Sequence, residues 1–236
     1  MARKPRQLKV GRIYHVINRG VEKRTIFLKN QDYARFILAL EFFNDHAASS
    51  LWQIIEKFNP ALFEKRLAIK RSGTKKYLVE LLAFVLMPNH YHLILREIVP
   101  NGISLFMQKL GGYTSYFNKQ HNRVGPLFQS RYKSVSIHDD IQLHTVFAYV
   151  HTNPIELVEP NWKKFKIKDI KKASEYLRNY KWSSYRDYIN IPNFPTVTQR
   201  GFFLNFFGNT QKCGEVIKDW ISWKAKKTAI DPKVTE

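Results

Sequence analysis

Only one of the 236 residues is a cysteine, Cys213, so neither a disulfide framework nor a cysteine-rich zinc site is available. Metal or covalent chemistry therefore has to come from His, Tyr, Asn and carboxylates. Long apolar runs are missing as well. The strongest, LLAFVLM, is interrupted at Pro88 and Asn89, well short of the length that crosses a bilayer. The opening MARKPRQLKVGR is basic and has no apolar segment of the secretory kind, so the expectation is a cytoplasmic protein without membrane contact. Negative charge is scarce too: 19 Asp and Glu stand against 39 Lys and Arg, a formal net charge of +20. Such an excess attracts polyanions, nucleic acid ahead of an anionic surface.

What is present is a globular composition. An apolar content of 44% and an aromatic content of 14% exclude a disordered chain, and the length buries a core without disulfide or metal staples. Residues 12–18, rich in β-branched and aromatic side chains, read as a strand ended by Gly20. Asn30 and Asp32 can cap a helix from about Tyr33 to His46, with Phe36, Ile37, Leu40 and Phe43 at helical spacing. Residues 47–76 fit neither period and read as an insertion. A strand over residues 77–87, the turn at Pro88-Asn89 and a strand over residues 90–96 follow. One helix is expected over residues 103–121, weakened by Gly111-Gly112. A fourth strand covers residues 132–137, and a helix capped by Asp139 or Asp140 runs to Asn153-Pro154.

The first six elements match an α+β fold, the ferredoxin-like split βαβ arrangement with a four-stranded antiparallel sheet. The expected organisation is a core over residues 1–154, carrying the insertion at about 47–76 and ending in the last helix. A basic, aromatic extension over residues 155–236 is expected to pack on that core and bind DNA.

Two pairs of residues can carry chemistry. His90 and His92 are two apart on a strand, so both imidazoles face one side and can converge on one ion. Two ligands are an incomplete set, and polar residues on an exposed strand face explain them equally well. Tyr149 and Asn153 lie four apart on a helix, one turn from each other on the same face. Asn153 offers a neutral oxygen ligand to a hard divalent ion. Core packing for Tyr149 and a helix cap for Asn153 are the plain alternatives. A phenol is weakly nucleophilic below its ordinary pKa of about 10, so a neighbouring cation would have to favour the phenolate. A covalent tyrosyl link suits phosphodiester cleavage that must later be reversed, because it conserves the bond energy.

In this order, MPNHYHLIL, GPLFQSRYKSV, AYVHTNP and KWSSYRDY resemble the HUH-type single-tyrosine transposases, most of all the REP-associated branch. The resemblance spans about Val10 to Tyr188. It implies two metal ligands at His90 and His92, a third at Asn153, and the nucleophile at Tyr149. It further implies cleavage and rejoining of single-stranded DNA beside hairpins through a 5′-phosphotyrosine, with Mg²⁺ or Mn²⁺ as cofactor and a nucleoid-associated location. Monomer against homodimer stays open. Tyr113 and Tyr116 compete as nucleophiles, since Tyr116 has Gln120 four residues on. Arg19, Lys23 and Arg24 after the first strand, and Arg131 and Lys133 near the fourth, are candidate phosphate contacts. Phe128, Tyr132 and Trp182 are candidate stacking platforms for bases. A binder of DNA or RNA without catalysis, and a nuclease that uses water, are the competing readings.

If the charge excess serves DNA, affinity for a single strand falls steeply between low and moderate salt. A flat salt response in a binding titration would count against a phosphate-binding surface.

Overall fold

The β-branched and aromatic stretch Ile13–Arg19, buried at Tyr14, His15 and Val16 and half-buried elsewhere, forms β1, which lies inside the sheet. The structure is a computed structural model that describes residues 8–46, 76–162 and 167–230. The expected insertion, save residue 76, and the end of the extension fall outside the described residues. β1 pairs antiparallel with β3 (His90–Glu97) on one side and with β4 (Lys133–Ile137) on the other. β2 (Val79–Met87) closes the order β2-β3-β1-β4 by pairing antiparallel with β3. This is the four-stranded antiparallel α+β architecture expected from the sequence.

α1 (Asn30–Phe43) starts where the Asp32 carboxylate accepts the backbone N–H groups of Leu28 and Lys29 at 2.8 and 2.9 Å. Asp32 therefore sits inside the first turn and reaches back, rather than preceding the helix. At the other end Asn44 accepts from the N–H groups of Leu78 and Val79 and donates to the Val79 carbonyl, which ties α1 to the start of β2. The single helix expected over residues 103–121 is two: α2 (Gly102–Gly111) and α3 (Tyr113–Gln120). Gly112 joins them with its N–H on the Lys109 carbonyl, a tighter turn that costs a glycine-containing helix little. α4 (Asp140–Thr152) is capped by the Asp139 carboxylate on the Gln142 N–H at 2.7 Å, and a 3₁₀ turn over Asn153–Leu157 follows it.

The sheet separates two cores. Tyr14, Val16, Phe84, Tyr91, Leu93 and Leu95 face α1, α2 and α3. Leu82, Val85, Met87 and Ile94 face α4 and the C-terminal helices α5 (Ile170–Asn179), α6 (Tyr185–Tyr188), α7 (Gly201–Phe207) and α8 (Thr210–Ile230). Burial on both faces explains why VELLAFVLM is almost continuously apolar instead of alternating.

The C-terminal residues also cover the outer edge of β2. Leu86 N–H donates to the Trp182 carbonyl, Ser184 N–H to the Phe84 carbonyl, and Gln199 N–H to the Leu81 carbonyl. The hydroxyls of Tyr180 and Tyr188 donate to the carbonyls of Leu86 and Leu82, each at 2.5 Å. An edge that would otherwise template pairing with another chain is thereby occupied. The KWSSYRDY string has a structural reason of its own: Ser184 accepts the Phe84 N–H at 3.0 Å and lies 2.8 Å from Nε2 of His151 on α4. His151 is fully buried, and burial pushes its pKa down to about 3, so it is a neutral link between α4 and the β2 edge.

Removing the Ser184 hydroxyl strands a buried N–H and an imidazole nitrogen. Ser184→Ala is expected to lower unfolding free energy by about 1–3 kcal/mol, read by urea titration; an unchanged midpoint would show that this bridge does not hold α4.

Candidate active site

The turn that launches β3 is clamped from several directions. The Pro88 carbonyl accepts from the N–H groups of Ile26 and Phe27, and the Asn89 carbonyl accepts from Gly20 N–H at 2.9 Å. Gly20 is required there because a Cβ would meet the Arg24 carbonyl oxygen at 2.2 Å. The Asn89 side chain donates from Nδ2 to the Lys23 carbonyl at 3.1 Å, which turns its Oδ1 toward His90. Nδ1 of His90 lies 2.6 Å from that oxygen. An acceptor on this side makes Nδ1 the protonated nitrogen and leaves the Nε2 lone pair for a ligand role.

His90 and His92 share the sheet face of Ile94, both are buried, and their rings meet at 4.9 Å and 83°. Tyr91 between them points to the opposite core, where it packs on Phe36 and Phe128. Tyr149, half-buried on α4, stands edge-on to His92 with ring centroids 5.4 Å apart at 90°. One chain thus brings the pair and this tyrosine together.

Asn153 is buried at the end of α4. Its Nδ2 donates to the Tyr149 carbonyl at 3.0 Å, so it does cap the helix. Its Oδ1 is also buried and has no hydrogen-bond partner, an arrangement that costs about 1–3 kcal/mol unless a positive group meets it. Among the described residues no group of three or more His, Cys, Asp or Glu side chains is placed to hold a metal. The available donors are of another kind, two imidazoles and one amide oxygen, a mixed set that suits a divalent ion.

Sequence reasoning missed His15. This β1 residue is buried on the same face, its Nε2 lies 2.9 Å from Nδ1 of His92, and its ring meets Tyr149 at 6.0 Å and 77°. Burial lowers its pKa to about 4, so it is a neutral imidazole. The available signal was a histidine set between Ile13 and Ile17 on one face of the strand.

The competing tyrosines lie across the sheet. Tyr113 donates its hydroxyl to the Ile26 carbonyl at 2.6 Å. Tyr116 donates to Asp32 at 3.3 Å, and burial together with that carboxylate raises its pKa to about 12. Both sit in the first core or against it, with the sheet between them and the His pair.

The candidate DNA contacts do not form one patch. Arg19 stands opposite His90 in the β1–β3 register, and Lys133, exposed on β4, stands opposite Ile17 on that same face. Lys23 is exposed in the loop after β1, where Arg24 pairs with Glu22 at 3.0 Å. Phe128, Arg131 and Tyr132 instead line a cleft of about 740 Å³ with Asn18 and Tyr91, on the other side of the sheet. Trp182 stacks on Tyr33 at 4.7 Å and 13° and lies parallel to Phe194, so its ring is engaged within the protein.

A family model described as IS200-like transposase matches residues 12–153. The chain belongs to the IS200-like transposase family. The matched stretch runs from the start of β1 to the end of α4 and contains His15, His90, His92, Tyr149 and Asn153. Membership makes this a transposase-type DNA-processing protein. A solved REP-associated tyrosine transposase bound to a REP hairpin is similar to this member at 14% identity and a TM-score of 0.48, covering 83% of this chain and 90% of that one. No curated protein matches the chain. Among the described residues no helix is long and apolar enough to cross a membrane.

Because Gly20 closes against the Arg24 carbonyl, Gly20→Ala forces the loop that braces Asn89 apart. A loss of about 1–3 kcal/mol is expected, read by thermal unfolding; full retention of stability would mean the loop adapts without cost.

Proposed function

We propose that this family member cleaves and rejoins single-stranded DNA beside hairpin or palindromic sequences, with Tyr149 as the nucleophile and a 5′-phosphotyrosine as the intermediate. The observation that carries the reading is the edge-on approach of Tyr149 to His92 within one chain. The REP-associated character rests on the four sequence strings and their order. Such a protein works in the cytoplasm, in association with the nucleoid.

His90 and His92 through Nε2, and Asn153 through Oδ1, would hold a Mg²⁺ or Mn²⁺ ion. The buried, unpartnered Oδ1 of Asn153 and the Nδ1 bond of His90 to Asn89 support that set. When bound, the ion supplies positive charge that polarises a phosphoryl oxygen and favours the phenolate. The Tyr149 oxygen then forms a bond to phosphorus while the bond from phosphorus to the 3′ oxygen breaks. The phenol loses its proton and the departing 3′ oxygen gains one, so the strand ends as a free 3′-hydroxyl and a 5′-phosphotyrosine. Attack by a 3′-hydroxyl on that ester reverses the step and frees Tyr149. α4 fixes the position of the nucleophile, so the attacking oxygen is delivered without a search. Arg19 and Lys133, on the same sheet face, are suited to the phosphates that flank the scissile bond. Phe128, Arg131 and Tyr132 in the cleft across the sheet are suited to unpaired bases.

A labelled hairpin-bearing strand incubated with the protein and Mn²⁺, then denatured, should yield a protein–DNA adduct. Tyr149→Phe should abolish the adduct, chelation of the metal should do the same, and Tyr116→Phe should leave it intact. Cleavage without an adduct would point to hydrolysis by water, and binding without cleavage to an idle DNA binder. An adduct that survives Tyr149→Phe would move the nucleophile elsewhere.

A further inference from the structure

His15 touches both halves of the proposed site. Its ring stacks on His92 at 5.0 Å and 20°, its Nε2 lies 2.9 Å from Nδ1 of that imidazole, and it meets the Tyr149 ring edge-on. The contact with His92 is diagonal, because His15 stands opposite Ile94 in the register while His92 stands opposite Ile17. β1 is hydrogen-bonded on both sides, so the backbone under His15 is held by two ladders.

One proton lies between the two facing nitrogens, and its owner decides what His92 can do. If His92 donates from Nδ1, its Nε2 keeps a lone pair. If His15 donates from Nε2, then Nδ1 of His92 accepts and the hydrogen of His92 moves to Nε2, which can no longer ligate. Asn89 settles the same choice for His90 with an amide oxygen. At His92 the group that faces Nδ1 is another imidazole, that of His15.

We propose that His15 is a positioning residue: it accepts the Nδ1 hydrogen of His92 and so fixes the tautomer and ring plane in which His92 presents Nε2 to the divalent ion beside Tyr149. This rests on the reading of His90, His92 and Asn153 as metal ligands. Imidazole ligands are oriented in this manner by the acceptor at their other nitrogen, and loss of that acceptor weakens metal binding about 10–100-fold. The stack and the edge contact add a second constraint, since a His92 ring that rotates must displace His15 or Tyr149.

The test uses the full chain with Mn²⁺ alone, titrated by the electron paramagnetic resonance signal of the free ion. His15→Phe keeps a flat ring but has no acceptor, and binding should weaken about 10–100-fold. His15→Gln returns an acceptor oxygen near the Nε2 position and should restore most of the affinity. Phe binding Mn²⁺ as the wild type does, or Gln binding as poorly as a folded Phe variant, overturns the proposal. A measurement on the unmutated chain needs no variant to fold: with ¹⁵N-labelled histidine, metal-free His92 should carry its hydrogen on Nδ1, and a hydrogen on Nε2 overturns the proposal. His90→Ala separates the two levels of the argument. Loss of Mn²⁺ in His90→Ala but not in His15→Phe removes only the role of His15; a wild type that binds no Mn²⁺ removes the metal reading and this inference with it.

Discussion

The docking of α4 on the sheet is the constraint on which the rest depends. Phe147 shares the second core with Leu82, Val85, Met87 and Ile94 of the sheet. The C-terminal helices hold it from the other side, its ring meeting Phe203 at 4.5 Å, Phe207 at 4.8 Å and Tyr188 at 5.2 Å. With Phe147, Val150 and His151 directed into the second core, Tyr149 is left at the margin of the buried face and falls against His92. A shift of one residue in helix phase turns a side chain by about 100°. The same helix would then present its tyrosine to solvent or to the core. The proposed nucleophile is placed by apolar packing around it more than by any bond of its own.

That packing needs the residues after Asn153. They supply Ile155, Trp162, Leu177, Tyr185, Tyr188, Phe203, Cys213, Ile217 and Ile221 to the second core, and they close the β2 edge. The family match ends at residue 153, yet the outer surface of α4 is covered from beyond that point. The basic, aromatic extension is therefore part of what holds the site. Its aromatic residues are largely spent on packing, Trp182 among them, which narrows the exposed ones to a few.

The strands and the His pair were legible because apolar, β-branched and aromatic runs and the Pro88-Asn89 turn are local. The pairing of Tyr149 with Asn153 was legible because four residues make one helical turn. Elsewhere local reading fell short. Gly111-Gly112 weakened a helix in the sequence but did not reveal that the chain divides there. Nor did local pattern say on which side of the sheet the basic and aromatic candidates for DNA contact would fall. The sheet puts Arg19 and Lys133 on one side, while Phe128, Arg131 and Tyr132, which precede β4, line the cleft on the other. Tyr116 with Gln120 copies the spacing of Tyr149 with Asn153, and spacing alone could not tell them apart. The fold places Tyr116 beside Asp32, across the sheet from the histidines.

By itself the sequence determined which side chains share a face: His90 with His92, Tyr149 with Asn153, and the apolar residues that turn each element inward. It also determined the charge that draws the protein to DNA and excluded a disulfide framework or a cysteine-rich zinc site. Tertiary structure decided which of those faces meet. His15 and His92 are 77 residues apart, and two helices and a strand lie between His92's strand and the helix that carries Tyr149. Contacts of that range depend on strand register and on how a helix seats in its core, which are set by the closing of the whole fold and not by any local repeat. His15 was for that reason only a polar residue in a strand until β1 was laid beside β3.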